Sequence, residues 1–149
     1  MRLVVQKVSQ SNVKIDGDVV GKIDQGFMVL VGITNDDNEK IVDKMVDKLI
    51  NLRIFEDENE KLNLSLLDVM GSILSISQFT LYANCRKGRR PSFLDAAKPE
   101  ISKPLYEYFN QKLVEKGIPV ETGVFGAMME VSLINDGPVT IILDSKELF

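Results

Sequence analysis

Ser77, Gln78 and Thr80 interrupt the apolar run Ser75-Ile76-Ser77-Gln78-Phe79-Thr80-Leu81-Tyr82 with groups that can hold oxygens and move protons. The Thr80 hydroxyl is a candidate nucleophile or proton relay. A nucleophilic threonine normally needs an adjacent base or a free N-terminal amine. Thr80 is internal, and the chain has no histidine at all. That excludes Ser-His and Cys-His relays and the usual histidine-bearing zinc sites. These residue types weigh positioning over attack for Thr80. Gln78 offers an amide donor and an acceptor, and the backbone N–H groups of Phe79 and Thr80 can form an oxyanion site. Read without context, Thr80 is as readily a structural strand threonine, and Phe79 as readily core.

A second stretch, Ser132-Leu133-Ile134-Asn135-Asp136-Gly137-Pro138-Val139-Thr140-Ile141-Ile142-Leu143, reads as two apolar strands around a tight interruption. Proline cannot donate to a ladder, so it belongs at an edge, a bulge or a turn. Glycine lets another backbone or a ligand come close. The pair would expose carbonyl oxygens with no glycine side chain over them. The plain alternative is a hairpin turn, the usual meaning of such a cluster.

The elements that must carry these residues follow from periodicity. Met1 to Ser9 reads as a strand. Val13–Ile15 and Val19–Ile23 flank Asp16-Gly17, a hairpin signal. Gly26 to Ile33 is a nearly unbroken apolar run, which predicts a strand covered on both faces. Asp36 and Asp37 lack the spacing of a calcium loop and read as a loop leading into a helix. Ile41, Val42, Met45, Val46, Leu49 and Ile50 recur at three and four, which predicts an amphipathic helix over Glu39–Asn51. Arg53-Ile54-Phe55 reads as a short strand, Asp57–Lys61 as a solvated turn, Asn63–Met70 as irregular, and Ser72–Gln78 as strand again. A long loop spans Ala83–Lys103, a length often functional in a small domain. Ser102 reads as the cap of a second helix through Leu105, Phe109 and Leu113, stopped by Gly117 and Pro119. Extended structure resumes at Val120. The whole is predicted to be a mixed α/β fold, curved or barrel-like, with largely antiparallel sheets and about two helices packed outside.

At 149 residues the chain reads as one domain, residues 1–149, able to bury a core. No apolar run is long enough to cross a bilayer, and the N-terminus runs into a strand pattern without signal-peptide anatomy. The expected location is cytoplasmic, with no membrane partner. One cysteine, Cys85, forbids an internal disulfide. Arg86 and Lys87 follow it directly, but an incidental loop thiol is the plainer reading. The net charge is −4, which argues against broad nucleic-acid binding. Its distribution is uneven: residues 83–104 carry about +4 and the remainder about −8. A basic strip on an acidic body suits a partner touched at one end.

Ser77-Gln78-Phe79-Thr80-Leu81 and Asn135-Asp136-Gly137-Pro138-Val139-Thr140 together resemble the two signature motifs of the D-aminoacyl-tRNA deacylases. Val4-Val5-Gln6-Lys7-Val8, Arg53-Ile54-Phe55, Gly88-Arg89-Arg90-Pro91-Ser92-Phe93 and Thr122-Gly123-Val124-Phe125-Gly126-Ala127-Met128-Met129 also look like that family, in the same order. The resemblance implies hydrolysis of the ester joining a D-amino acid, or glycine, to the terminal adenosine of tRNA, with the L ester spared. It implies catalysis at Ser77, Gln78, Phe79 and Thr80, where Ser77 holds the loop or a ribose hydroxyl and Phe79 walls the adenosine. The ribose 2′-hydroxyl would assist, with no indispensable protein nucleophile, no cofactor and no metal. It implies a chirality filter at Asn135, Gly137 and Pro138, with the Gly-Pro bond cis and its carbonyls facing the substrate α-carbon. The filter would enter the pocket of a second subunit in a homodimer. At the position of Lys7 the family usually has arginine, which helps lock that element; lysine keeps the charge but loses the bidentate fork. Arg86, Lys87, Arg89 and Arg90 are candidates for tRNA phosphates, against the alternative of a solvated basic loop. The rival functions are a non-catalytic RNA-end-binding module of the same fold and a general esterase using Thr80.

Overall fold

Alternating burial along the first strand and the apolar run after the first hairpin build the centre of the sheet. The computed structural model describes residues 1–149. In it, β1 (Arg2–Ile15) pairs antiparallel with β3 (Gly26–Gly32) through its first half. Its second half pairs with β2 (Asp18–Ile23) across the Asp16-Gly17 turn. The opposite edge of β1 takes β8 (Glu130–Asp144), antiparallel along nearly its whole length. Beyond β3 lie β6 (Ser72–Ser77) and then β7 (Val120–Thr122), both in parallel pairings. The sheet order is β2-β1-β3-β6-β7 with β8 on β1, a curved, barrel-like arrangement. A separate small ladder joins β4 (Phe55–Glu56) and β5 (Leu62–Leu64).

The amphipathic helix appears as α1 (Glu39–Ile50), with Asn38 as its cap accepting from the Ile41 N–H at 3.2 Å. Val42, Met45, Val46 and Leu49 bury its apolar stripe against Leu3, Val5, Phe27 and Val29. The second helix, α2 (Pro99–Glu115), covers the same face through Tyr106, Phe109 and Leu113. A one-turn helix, α3 (Ser145–Leu148), follows β8. A smaller cluster on the other side of the sheet joins Val8, Val13, Ile23, Met28, Leu74 and Ile76.

Several local expectations are corrected. The Gly-Pro interruption is not a hairpin turn. Both apolar halves of residues 130–144 belong to one strand and pair with the same partner, β1, so the interruption is an outward excursion from a single ladder. Ser102 does not cap α2. The helix starts three residues earlier at Pro99, whose missing N–H is harmless there, and the Ser102 hydroxyl donates back to the Lys98 carbonyl at 3.1 Å. The strand expected through Gln78 ends at Ser77, and residues Phe79–Tyr82 form a 3-10 turn. The strand at Arg53–Phe55 is shifted to Phe55–Glu56, and Leu62–Leu64 pairs with it where irregular chain was expected. Antiparallel pairing dominates around β1, but β3-β6-β7 is parallel.

Candidate active site

The 3-10 turn sits where β6 leaves the sheet. The Gln78 N–H donates to the Val31 carbonyl at 2.8 Å, one step beyond the Val31–Ser77 pairing, so the start of the turn is fastened to the end of β3. Its own closing bonds are Leu81 N–H to Gln78 C=O and Ala83 N–H to Thr80 C=O. Phe79 and Thr80 open the turn, and their N–H groups have no earlier turn carbonyl to meet. The Gln78 side-chain amide donates to the Thr80 hydroxyl oxygen. That bond fixes the Thr80 oxygen as an acceptor and leaves its proton to point elsewhere. Ser77 and Gln78 are half-buried, while Phe79 and Thr80 are exposed.

Two residues outside the motif hold the turn in place. A Cβ on Gly32 would lie 2.9 Å from the Leu81 Cβ and 3.3 Å from the Gln78 carbonyl oxygen, so only glycine lets β3 approach the turn this closely. Arg2 reaches from β1 and donates through Nη1 to the Leu81 carbonyl at 2.7 Å. Its Nε and Nη2 both bond the Asp144 carboxylate, at 2.9 and 2.7 Å. Burial pushes the Asp144 carboxyl up, but the Arg2 hydrogen bonds and the Lys146 N–H outweigh it and hold the pKa below the ordinary range. One guanidinium thus ties the turn to the end of β8. Neither residue carried a motif signal, since an arginine in a strand and a glycine at a strand end are common.

The Gly137–Pro138 peptide bond is cis, and Gly137 has φ +132°. The excursion lies between two anchor points of the ladder, Val8 opposite Asn135 and Gln6 opposite Thr140. Asn135 closes its neck. Its side-chain oxygen accepts from the Val139 N–H at 3.1 Å, and its NH2 donates to the Thr140 hydroxyl at 3.0 Å. Gln6 of β1 also donates to Thr140, at 3.3 Å. Asp136, Gly137 and Pro138 stand exposed beyond this neck.

Lys7 faces the excursion across the ladder. It is 1% exposed, and its Nζ lies 2.7 Å from both carboxylate oxygens of Glu56 on β4. Its hydrogen bond lowers the Glu56 pKa. Within the chain, the charge at this position is therefore spent on Glu56. Such a burial of lysine is tolerable only because it is paired.

The chain brings Gln78 to Thr80 and Asn135 to Thr140, but it does not bring the two motifs together by any hydrogen bond: β6 and β8 are separated in the sheet by β3 and β1. Two cavities, of about 250 and 360 Å³, are lined by residues around Arg2, Tyr82 and Arg86 and around Gln10, Asn12 and Ile134. Neither includes Gln78, Thr80, Gly137 or Pro138. The signature turn is open to solvent. The basic residues Arg86, Lys87, Arg89 and Arg90 lie on an exposed loop beside it, with Cys85 exposed at its base. Asp37 is used structurally: it accepts from the Thr34 N–H at 2.8 Å and pairs with the Met1 amine. No three Cys, Asp or Glu side chains converge as a metal-ligand group, and no helix is long and apolar enough to cross a membrane.

This fold is shared by solved structures. One described as a probable eukaryotic D-amino acid tRNA deacylase superposes with TM-score 0.82 at 20% identity, over 95% of this chain and 97% of the other. The c-Myc DNA Unwinding Element Binding Protein superposes with TM-score 0.92 at 40% identity, over 97% and 98%. These likenesses define the class, a mixed α/β protein with a barrel-like sheet and helices against its outer face. The D-aminoacyl-tRNA deacylase of Bacillus pumilus (strain SAFR-032) is 63% identical over 99% of this chain and all of its own. The chain belongs to the D-Tyr-tRNA(Tyr) deacylase family, whose model matches residues 4–144.

Proposed function

We propose that this protein hydrolyses the ester of D-aminoacyl-tRNA, and of glycyl-tRNA, to free amino acid and tRNA, and spares the L ester. As a member of its family the chain is an enzyme, a D-aminoacyl-tRNA deacylase and hence an ester hydrolase. The observation that carries the finer reading is the pairing of an amide-hydroxyl turn at Gln78–Thr80 with an exposed Gly137–Pro138 excursion. The first is suited to polarise an ester; the second offers bare backbone to a substrate α-carbon.

Water adds to the ester carbonyl. The Phe79 and Thr80 N–H groups meet the developing oxyanion. Gln78 orients Thr80, which positions water or substrate, and Ser77 supports the turn. The ribose 2′-hydroxyl of the substrate helps activate water or ester. The carbonyl–oxygen bond to the ribose then breaks, and that oxygen leaves with a proton. Rejection of L esters comes from backbone: an L side chain would be driven into Gly137 and Pro138, whereas hydrogen would not. The identity of the side chain then matters little.

We infer a homodimer, in which the excursion of one subunit completes the open turn of the other. β8 has a ladder partner on one side only. Its exposed face carries Ile134 and Ile142 among polar residues, and its free ladder edge is of the kind proteins cover. The enzyme would act in the cytoplasm as quality control on charged tRNA, without cofactor.

The test is hydrolysis of matched D-, L- and glycyl-tRNA by the purified protein with EDTA present. The expected outcome is rapid loss of the D and glycyl esters with the L ester intact. Equal loss of D and L would overturn the backbone filter and favour a general esterase. Binding without loss of any ester would favour an RNA-end-binding module.

A further inference from the structure

The loop that follows the signature turn carries more than charge. Phe79, in the turn, is 56% exposed, and Phe93, at the far end of the loop, is 37% exposed. Their ring centroids are 5.0 Å apart at 72°, an edge-to-face pair on the surface. Such a pair leaves ring faces open to solvent. Exposing two phenylalanines is costly unless something covers them.

The loop is held against the same end of the sheet as the turn. Asn84 and Ser92 exchange backbone hydrogen bonds of 2.8 and 2.9 Å and close its neck. The Asn84 side-chain oxygen accepts from the Arg86 N–H at 3.1 Å. The chain after Phe93 is fastened to the end of β3 by the Thr34 hydroxyl on the Asp95 carbonyl, at 2.6 Å, and by the Ala97 N–H on the Ile33 carbonyl, at 2.9 Å. Between Asn84 and Ser92 stand Arg86, Lys87, Arg89 and Arg90 with no acid among them. None of the four makes an ion pair, whereas Arg2, Lys7, Lys103, Lys112, Lys116 and Lys146 all do. Four uncompensated cations lie on one mounted loop, with Phe93 at its far end and Phe79 in the adjoining turn.

We propose that Phe93, braced edge-on by Phe79, forms with Arg86, Lys87, Arg89 and Arg90 a docking strip for the unpaired 3′-terminal strand of the RNA, upstream of the esterified adenosine. The position of the ester rests on the deacylase reading, and the strand is assigned by charge complementarity. Stacking needs an exposed base face, which a single strand offers and a duplex interior does not. The cations meet the phosphates between those bases. Recognition is then independent of anticodon and amino acid, as a filter acting on many charged tRNAs requires.

The test has two readouts. The first is binding of a short single-stranded RNA ending in CCA, against a blunt RNA duplex of equal length. The second is turnover of D-aminoacyl-tRNA against the same D-amino acid esterified to adenosine alone. Phe93→Leu keeps an apolar side chain and removes the ring. It is expected to weaken oligonucleotide binding, and to raise KM for the charged tRNA, about ten-fold. Hydrolysis of the adenosine ester is expected to stay native. Replacing the four cations with alanine is expected to flatten the salt dependence of binding by about 0.7 in log–log slope for each phosphate left without its cation. Native binding by both variants, or equal affinity for the duplex, would overturn the proposal. So would loss of dimer and of adenosine-ester turnover together in Phe93→Leu, which would make the pair a contact between protein chains. If the native protein hydrolyses neither ester, the deacylase reading has failed, and oligonucleotide binding alone decides the strip.

Discussion

At the scale of single residues, Thr80 and Gly137 separate the two halves of the proposed chemistry. Thr80 has no base beside it; its one side-chain partner is the Gln78 amide, which donates to it. A hydroxyl that accepts from an amide is oriented, not deprotonated. Thr80→Val is therefore expected to lower kcat about 10- to 100-fold, the value of one or two hydrogen bonds in a transition state, and to leave measurable turnover. Single-turnover hydrolysis of D-aminoacyl-tRNA checks this; complete loss with substrate binding intact would instead make Thr80 the attacking group. Gly137 is constrained by its backbone. At φ +132° an added Cβ would meet Val139 Cγ2 at 2.7 Å and Val139 N at 2.9 Å. Gly137→Ala is expected to cost about 1–3 kcal/mol of stability and to shift the filter. A reduced Tm together with a fall in the ratio of D to L hydrolysis would bear that out. An unchanged ratio would detach the filter from this backbone.

At the scale of elements, the sequence was most legible where a pattern is local. The three-and-four spacing from Ile41 to Ile50 defined α1, and Asp16-Gly17 defined the β1-β2 hairpin, because both depend on neighbours in the chain. The excursion at Gly137–Pro138 was harder to read. Its local signal is the same whether the flanking strands pair with each other or both with β1, and only the long-range ladder decides. The motif residues were visible as types; Arg2 and Gly32 were not, because their roles come from what lies across the sheet. Lys7 is the sharpest case, a lysine buried in an apolar row beside Phe27 and Phe55. Its hydrogen bond, then the Glu56 backbone N–H, hold Glu56 below its ordinary pKa near 4.5. A depressed carboxyl stabilises the fold above the unfolded pKa, and that contribution is lost as pH falls through the folded value. Glu56→Gln is expected to destabilise the protein at pH 7 by about 1–3 kcal/mol, less than a fully buried pair because Glu56 is 45% exposed. It should also flatten the acid limb of stability below about pH 4.5. Lys7→Met with Glu56→Gln should be less destabilised than Glu56→Gln alone. Urea unfolding at pH 3–7 measures all three.

At the scale of the molecule, the open turn and the unpartnered strand edge call for the same remedy. Phe79 and Thr80 of the turn are exposed in one chain, and so are Asp136, Gly137 and Pro138 of the excursion, on the other side of β1. β8 runs for 15 residues with one ladder partner, and Ile142 on it is 67% exposed. A second copy would cover that edge and supply each turn with the excursion it lacks, which is an isologous arrangement. The consequence is kinetic. Activity per chain should fall on dilution in step with dissociation, whereas a self-sufficient site would keep constant specific activity. Ile142→Glu places a charge on the exposed edge without disturbing the buried core. It is expected to give a folded monomer by sedimentation and circular dichroism, with turnover of D-aminoacyl-tRNA reduced at least 100-fold. A folded monomer that retains full activity would remove the second subunit from the site and require Gly137 and Pro138 to act within their own chain.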